Sequence, residues 1–227
     1  MATVVYFDPE NWAKNVATVI QESIESILNG NGKCSILLTG GRTAEMVYKE
    51  WAKLPTFLTM EGASFYFGDE RCVPMDSPLS NYSMVVRTLF AKKKDSLTSI
   101  FRIEGEDLFF AGAAKKYEDL LPIEIDVLLL TAGDDGHIAS LFPNDQALFD
   151  RVNRVVPVVA SKDPVNRITI TPLAISQSKN IFVLAPGEEK VNILLSLLKN
   201  GVDIFKIPAS LVLSGKWFVS SKLGLTK

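Results

Sequence analysis

The 227-residue chain contains one histidine, His137, set in Gly133-Asp134-Asp135-Gly136-His137 directly after the most apolar run of the sequence. An imidazole exchanges protons near neutral pH, and an adjacent carboxylate fixes its tautomer. His137 beside Asp135 therefore has the composition of a general base with its orienting group. A lone histidine is more often structural than catalytic; the position after a buried run, among glycines and aspartates, reverses that preference here. Gly136 is expected to let the imidazole reach a pocket. Two more polar turns carry anion-binding chemistry. Gly40-Gly41-Arg42-Thr43 offers backbone that can approach a ligand closely and free N–H groups at a helix start, which suit a phosphate. Asp69-Glu70-Arg71, followed by Ser80-Asn81, offers a carboxylate and a guanidinium for sugar hydroxyls and an anion, or equally a self-satisfied surface ion pair. Arg167 leads a strand of alternating polarity, Asn166 to Thr171, and can clamp phosphate bidentately, or simply be a solvated residue before an edge strand. Lys190, in a first helical turn, opposes the helix dipole unless an anion lies nearby or Glu188 and Glu189 compensate it.

Other chemistries lack residues. Cys34 and Cys72 are too few for a disulfide framework, and neither Cys-x-x-Cys nor His-Glu-x-x-His spacing occurs, so no metal is expected. The glycine turn is neither a Walker loop nor a dinucleotide fingerprint, so no nucleotide cofactor is expected either. A net charge of −2 gives no general attraction to nucleic acid or anionic membrane, and the run Lys92 to Lys94 is too short to change this. The apolar runs fall well short of the ~20 residues of a membrane span, and the N-terminus lacks a signal-peptide pattern. A soluble, cytoplasmic protein acting on a small molecule is expected.

The elements that must position these residues follow from periodicity. Strands are predicted over 3–7, 35–38, 65–67, 125–130, 181–184 and 217–219. Helical stripes cover 11–28 (ended by Asn29-Gly30), 43–54, 81–90, 108–121 and 188–199. Residues 68–71 read as a turn and 143–161 as a less regular excursion. Continuous apolar runs such as 127–130 indicate strands covered on both faces. Alternating strands and helices with short connections predict an α/β fold: a Rossmann-like open, mostly parallel sheet with helices on both faces, as one domain over 1–227. In such sheets ligands bind at the carboxyl ends of the strands, which would bring the three polar turns to one edge.

In order and spacing, Leu38-Thr39-Gly40-Gly41-Arg42-Thr43, Gly68-Asp69-Glu70-Arg71-Cys72-Val73-Pro74 with Ser80-Asn81, and the block from Asp135-Gly136-His137 through Ser140-Leu141-Phe142-Pro143 resemble the 6-phosphogluconolactonase family. So do Arg167-Ile168-Thr169, the segment 187–190 and Ile207-Pro208-Ala209-Ser210. The family's usual proline after the loop threonine is replaced by Ala44, and its frequent Gly-Met-Gly by Thr131-Ala132-Gly133. The resemblance implies hydrolysis of a phosphorylated sugar lactone in the oxidative pentose phosphate pathway without metal or nucleotide. It also implies a fold shared with aminosugar-phosphate deaminases. On that reading His137 activates water, Arg71 or a backbone N–H meets the oxyanion, and Asp69 or Asp135 orients His137 or binds hydroxyls. Gly40, Gly41, Arg42, Thr43, Asn81, Arg167 and Lys190 hold substrate and phosphate. A monomer or weak homodimer is expected. The competing readings are an aminosugar-6-phosphate deaminase or isomerase and a non-catalytic sugar-phosphate sensor.

Overall fold

The computed structural model describes residues 2–93, 99–201 and 203–220, so Lys94 of the lysine run lies outside the described residues. Strand Cys34–Leu38 (β2) is buried at every position, and Ile125–Thr131 (β6) is buried except at two. Such strands can only sit inside a sheet covered on both faces. They pair in parallel at its centre. On one side lie Ala63–Phe67 (β3) and the short Ser99–Ile100 (β5); on the other lie Ser178–Ala185 (β9), Lys216–Val219 (β10) and Thr3–Tyr6 (β1). The order is β1-β10-β9-β6-β2-β3-β5, and every pair is parallel. From β2 the chain steps outward through β3 to β5, then returns to β6 and steps the other way through β9 to β10. Right-handed crossovers in opposite directions place helices on opposite faces. The reversal leaves β2 and β6 diverging at their carboxyl ends.

The helices are Trp12–Asn31 (α1), Arg42–Trp51 (α2), Pro55–Thr59 (α3), Asn81–Thr88 (α4), Phe110–Leu120 (α5), Pro172–Ser176 (α6) and Gly187–Asn200 (α7). Trp12, Trp51 and Trp217 are all fully buried in one continuous apolar cluster. Each indole N–H has a partner: the Phe218 carbonyl at 3.2 Å, Gln21 Oε1 at 2.6 Å and the Val212 carbonyl at 3.1 Å. That satisfaction lets large amphipathic rings be buried without a desolvation penalty. Among the described residues no helix is long and apolar enough to cross a membrane.

Three local expectations need correction. Helix α1 runs through Asn29-Gly30 and stops at Gly32, whose φ of 69° closes the end through an N–H bond to the Leu28 carbonyl. A glycine inside a helix is tolerated, whereas the left-handed terminal residue is where glycine is needed. Helix α5 begins at Phe110, not 108, because Asp107 Oδ1 takes the Phe109 N–H and leaves Leu108 and Phe109 exposed. The third concerns residues 68–71 and 143–161. Asp69–Arg71 (β4), Val155–Val159 (β7) and Asn166–Ile170 (β8) form a second, antiparallel sheet in the order β4-β8-β7. Three residues are too few to show a period, and Pro157 disguises β7, which is an edge strand and tolerates it. Arg167 therefore lies on the central strand of this sheet rather than before an edge.

Asp-Glu-Arg is likewise not a surface ion pair. Glu70 is 3% exposed and accepts from the N–H groups of Arg71 (2.7 Å), Asn81 (2.7 Å) and Tyr82 (2.8 Å) and from Ser80 Oγ (2.9 Å). Burial raises its carboxyl above the ordinary value, and these donors oppose the rise. The contacts fasten β4 to the start of α4. Glu70→Gln is nearly isosteric but turns an NH2 toward donors. It is expected to cost about 1–3 kcal/mol, read as a lower urea midpoint at constant slope. An unchanged midpoint would mean that the carboxylate does not hold the two elements together.

Candidate active site

Where β2 and β6 diverge, their following turns and the inner face of the small sheet enclose a cleft of about 360 Å³. The turn after β6 closes on itself, with Gly133 N–H donating to the His137 carbonyl (2.8 Å) and Gly136 N–H to the Gly133 carbonyl (2.9 Å). The imidazole lies over Gly133, where an added Cβ would stand 2.1 Å from the ring. Gly136 has a φ of +82°, and its missing Cβ would meet Ile207 Cγ2 at 2.7 Å. Gly133, and not Gly136 as expected, makes room for the ring; Gly136 serves the turn and its packing.

Asp135 Oδ1 accepts from the His137 backbone N–H (3.1 Å) and lies 2.5 Å from Nδ1. Burial pushes the Asp135 carboxyl up, but the His137 N–H and imidazole outweigh it and leave the carboxyl below its ordinary value. An ionised Asp135 selects the tautomer with hydrogen on Nδ1. Nε2 is thereby left with its lone pair. The ring also rests against Phe142, with centroids 5.1 Å apart. Asp69 does not touch the imidazole. Buried on β4, it accepts from Ser140 Oγ at Oδ2 (2.6 Å) and from Asn81 Nδ2 at Oδ1 (3.2 Å), while its carbonyl takes Asn81 Nδ2 at 3.0 Å.

Arg71 and Arg167 are direct partners across the antiparallel β4–β8 pair, so both project from one face. Arg71 Nη1 donates to the Leu79 carbonyl (2.5 Å), its Nε is buried with no partner, and Arg167 Nε donates to the Pro164 carbonyl (2.5 Å). Burial, and then the charge of Arg71, push the Arg167 guanidinium below its ordinary value. Neither arginine has an ion-pair partner among the described residues. Like charges placed opposite one another destabilise a sheet, and an anion between them would reverse the sign.

The turn after β2 supplies a further anion-binding element. Gly41 stands at the start of α2 with φ 91°, and no side chain caps that helix. Its first N–H groups are therefore free for a ligand. Gly40 packs against the Asn81 carboxamide, where a Cβ would lie 1.9 Å from Oδ1. The cleft thus brings together Gly40, Gly41, Asp69, Arg71, Asn81, Asp135, His137 and Arg167. It is not lined by Arg42, Thr43 or Lys190. Arg42 is exposed on α2, Thr43 does not cap the helix, and half-buried Lys190 donates to the Ala132 carbonyl. Lining residues that the sequence reading did not single out include Thr39, Ser140 and Lys162. Ser140 lay in the quoted block after His137; Lys162, in an irregular loop, had no periodic or motif signal.

Residues 7–219 match the family model described as glucosamine-6-phosphate isomerases/6-phosphogluconolactonase. A 6-phosphogluconolactonase of Thermotoga maritima is 32% identical over 204 residues, covering 87% of this chain and 90% of that protein. A 6-phosphogluconolactonase of Haemophilus influenzae is 34% identical over 187 residues, covering 79% and 80%. The crystal structure of the Thermotoga maritima 6-phosphogluconolactonase superposes with a TM-score of 0.83 at 29% identity, over 96% of this chain and 99% of that one.

Proposed function

Because the chain belongs to the glucosamine-6-phosphate isomerase/6-phosphogluconolactonase family, we propose that it hydrolyses 6-phospho-D-glucono-1,5-lactone to 6-phosphogluconate, with His137 as general base. The observation that carries this reading is the polarised imidazole. Nδ1 is held by Asp135 and Nε2 is left free, in the same cleft as two arginines that lack ionic partners among the described residues.

The phosphate is held by Arg167 and the uncapped start of α2 at Gly40-Gly41. This binding, remote from the bond that breaks, supplies energy to fix the lactone. Nε2 of His137 takes a proton from a water molecule as its oxygen attacks the lactone carbonyl carbon. Arg71 meets the negative charge that grows on the carbonyl oxygen; one such donor is commonly worth ~3 kcal/mol in the transition state. The tetrahedral intermediate collapses by breaking the bond from carbon to ring oxygen, and the imidazolium returns its proton to that oxygen. One water is consumed, and the ring opens to a hydroxy acid. Asn81, expected among the substrate-binding groups, is 1% exposed and holds Asp69 instead.

No side-chain nucleophile enters this scheme. Burial, with the charge of Glu70, pushes the Cys72 thiol up to about 11, so Cys72 stays protonated at neutral pH.

The test is the hydrolysis of freshly prepared 6-phosphogluconolactone, with the spontaneous rate subtracted. Acceleration well above that background is expected. No acceleration, with ammonia released from glucosamine 6-phosphate instead, would replace this reading with the deaminase.

A further inference from the structure

We infer that Ser140 is a positioning residue, which registers the histidine turn on the strand pair that carries the two arginines. This rests on the reading of His137 as the base. Ser140 is three residues beyond His137, is 1% exposed, and makes two bonds that both leave its own loop. Its hydroxyl donates to Asp69 Oδ2 at 2.6 Å, and its N–H donates to Thr169 Oγ1 at 3.1 Å. Asp69 and Thr169 are direct partners across β4 and β8, and one pleat further along the same face stand Arg71 and Arg167.

One serine thus grips both strands of the arginine ladder at a single rung, from the loop that bears the imidazole. Asn81 completes the anchor by donating to the other oxygen of Asp69. The link between His137 and this anchor is short and backbone-constrained. Ile138 is fully buried, and Ala139 has a φ of 49°, a left-handed conformation that a residue with a Cβ keeps only when its surroundings hold it. Ser140 supplies that hold on the far side. The height of Nε2 over the lactone carbonyl is therefore set from the arginine ladder, through Ser140 and Ala139, while Asp135 sets the rotation of the ring. Asp69 accordingly serves as an anchor rather than as the group that orients His137.

A role that acts through His137 has a signature that a general structural role lacks. In the Ser140→Ala enzyme kcat for the phosphorylated lactone is expected to fall about tenfold, with KM changed by no more than about twofold, because the phosphate-holding groups are untouched. In a His137→Ala background the same substitution is expected to cost nothing further, since groups that act as one unit are non-additive. Thr169→Val removes the second bond from the opposite side and is expected to give a smaller loss, again silent without His137. It carries the test if Ser140→Ala does not fold. Equal losses with and without His137, or a rise in KM that accounts for the loss, would overturn the proposal. Failure of the underlying function is seen separately, as a wild type that does not accelerate hydrolysis.

Discussion

His137→Ala is expected to lower kcat for the phosphorylated lactone by about 10²- to 10⁴-fold, with little change in KM or thermal midpoint. The small structural effect follows from the site. The turn is closed by the His137 backbone carbonyl, which alanine retains, and the side chain is 33% exposed, so truncation opens no sealed cavity. Asp135 loses a partner, but its side chain is 54% exposed and water replaces the imidazole. Unchanged turnover in a folded His137→Ala enzyme would remove this residue from the chemistry.

The two arginines are expected to fail differently. Arg71→Ala should lower kcat by about 10²-fold with a modest change in KM, because the growing oxyanion loses a charged donor. Arg167→Ala should raise KM by about 10- to 100-fold and weaken competitive inhibition by inorganic phosphate, because a charge-assisted hydrogen bond to a bound anion is worth about 1.5–3 kcal/mol. Steady-state kinetics and phosphate inhibition on both variants distinguish the roles. If the effects are exchanged, so are the assignments: phosphate on Arg71 and oxyanion on Arg167.

What the sequence revealed, and what it hid, depends on whether a residue's surroundings are local. The parallel sheet was legible because β2 and β6 carry the apolar runs Ile36 to Leu38 and Val127 to Leu130, whose meaning does not depend on partners. The polar turns were legible because glycines and ionisable groups directly follow such runs. The β4-β8-β7 sheet was not, since β4 has three residues and gains its identity only by pairing with a strand far along the chain. The same limit explains Gly133 and Gly136. Both glycines lie within four residues of the histidine in sequence, but which one lies under the ring depends on how the turn folds. It also explains Lys190. Its partner, the Ala132 carbonyl, is supplied by the turn after β6, far away in the sequence. Glu70 reads as a surface acid until the start of α4 brings two N–H groups and a serine hydroxyl to it, beside the N–H of its neighbour Arg71.

The edge formed by β1 and β10 has a consequence for biosynthesis. Thr3 pairs with Lys216 and Tyr6 with Val219, so β1 has no neighbour until β10 has been made. Trp12, at the start of α1, likewise finds its carbonyl partner only at Phe218. During synthesis the early segment must remain unpaired while the strands between them assemble. A contact closed over so long a stretch of chain is entropically late. The β1–β10 seam thus closes after the strands between them are in place, and a stalled nascent chain would present an unmated strand edge to chaperones and proteases.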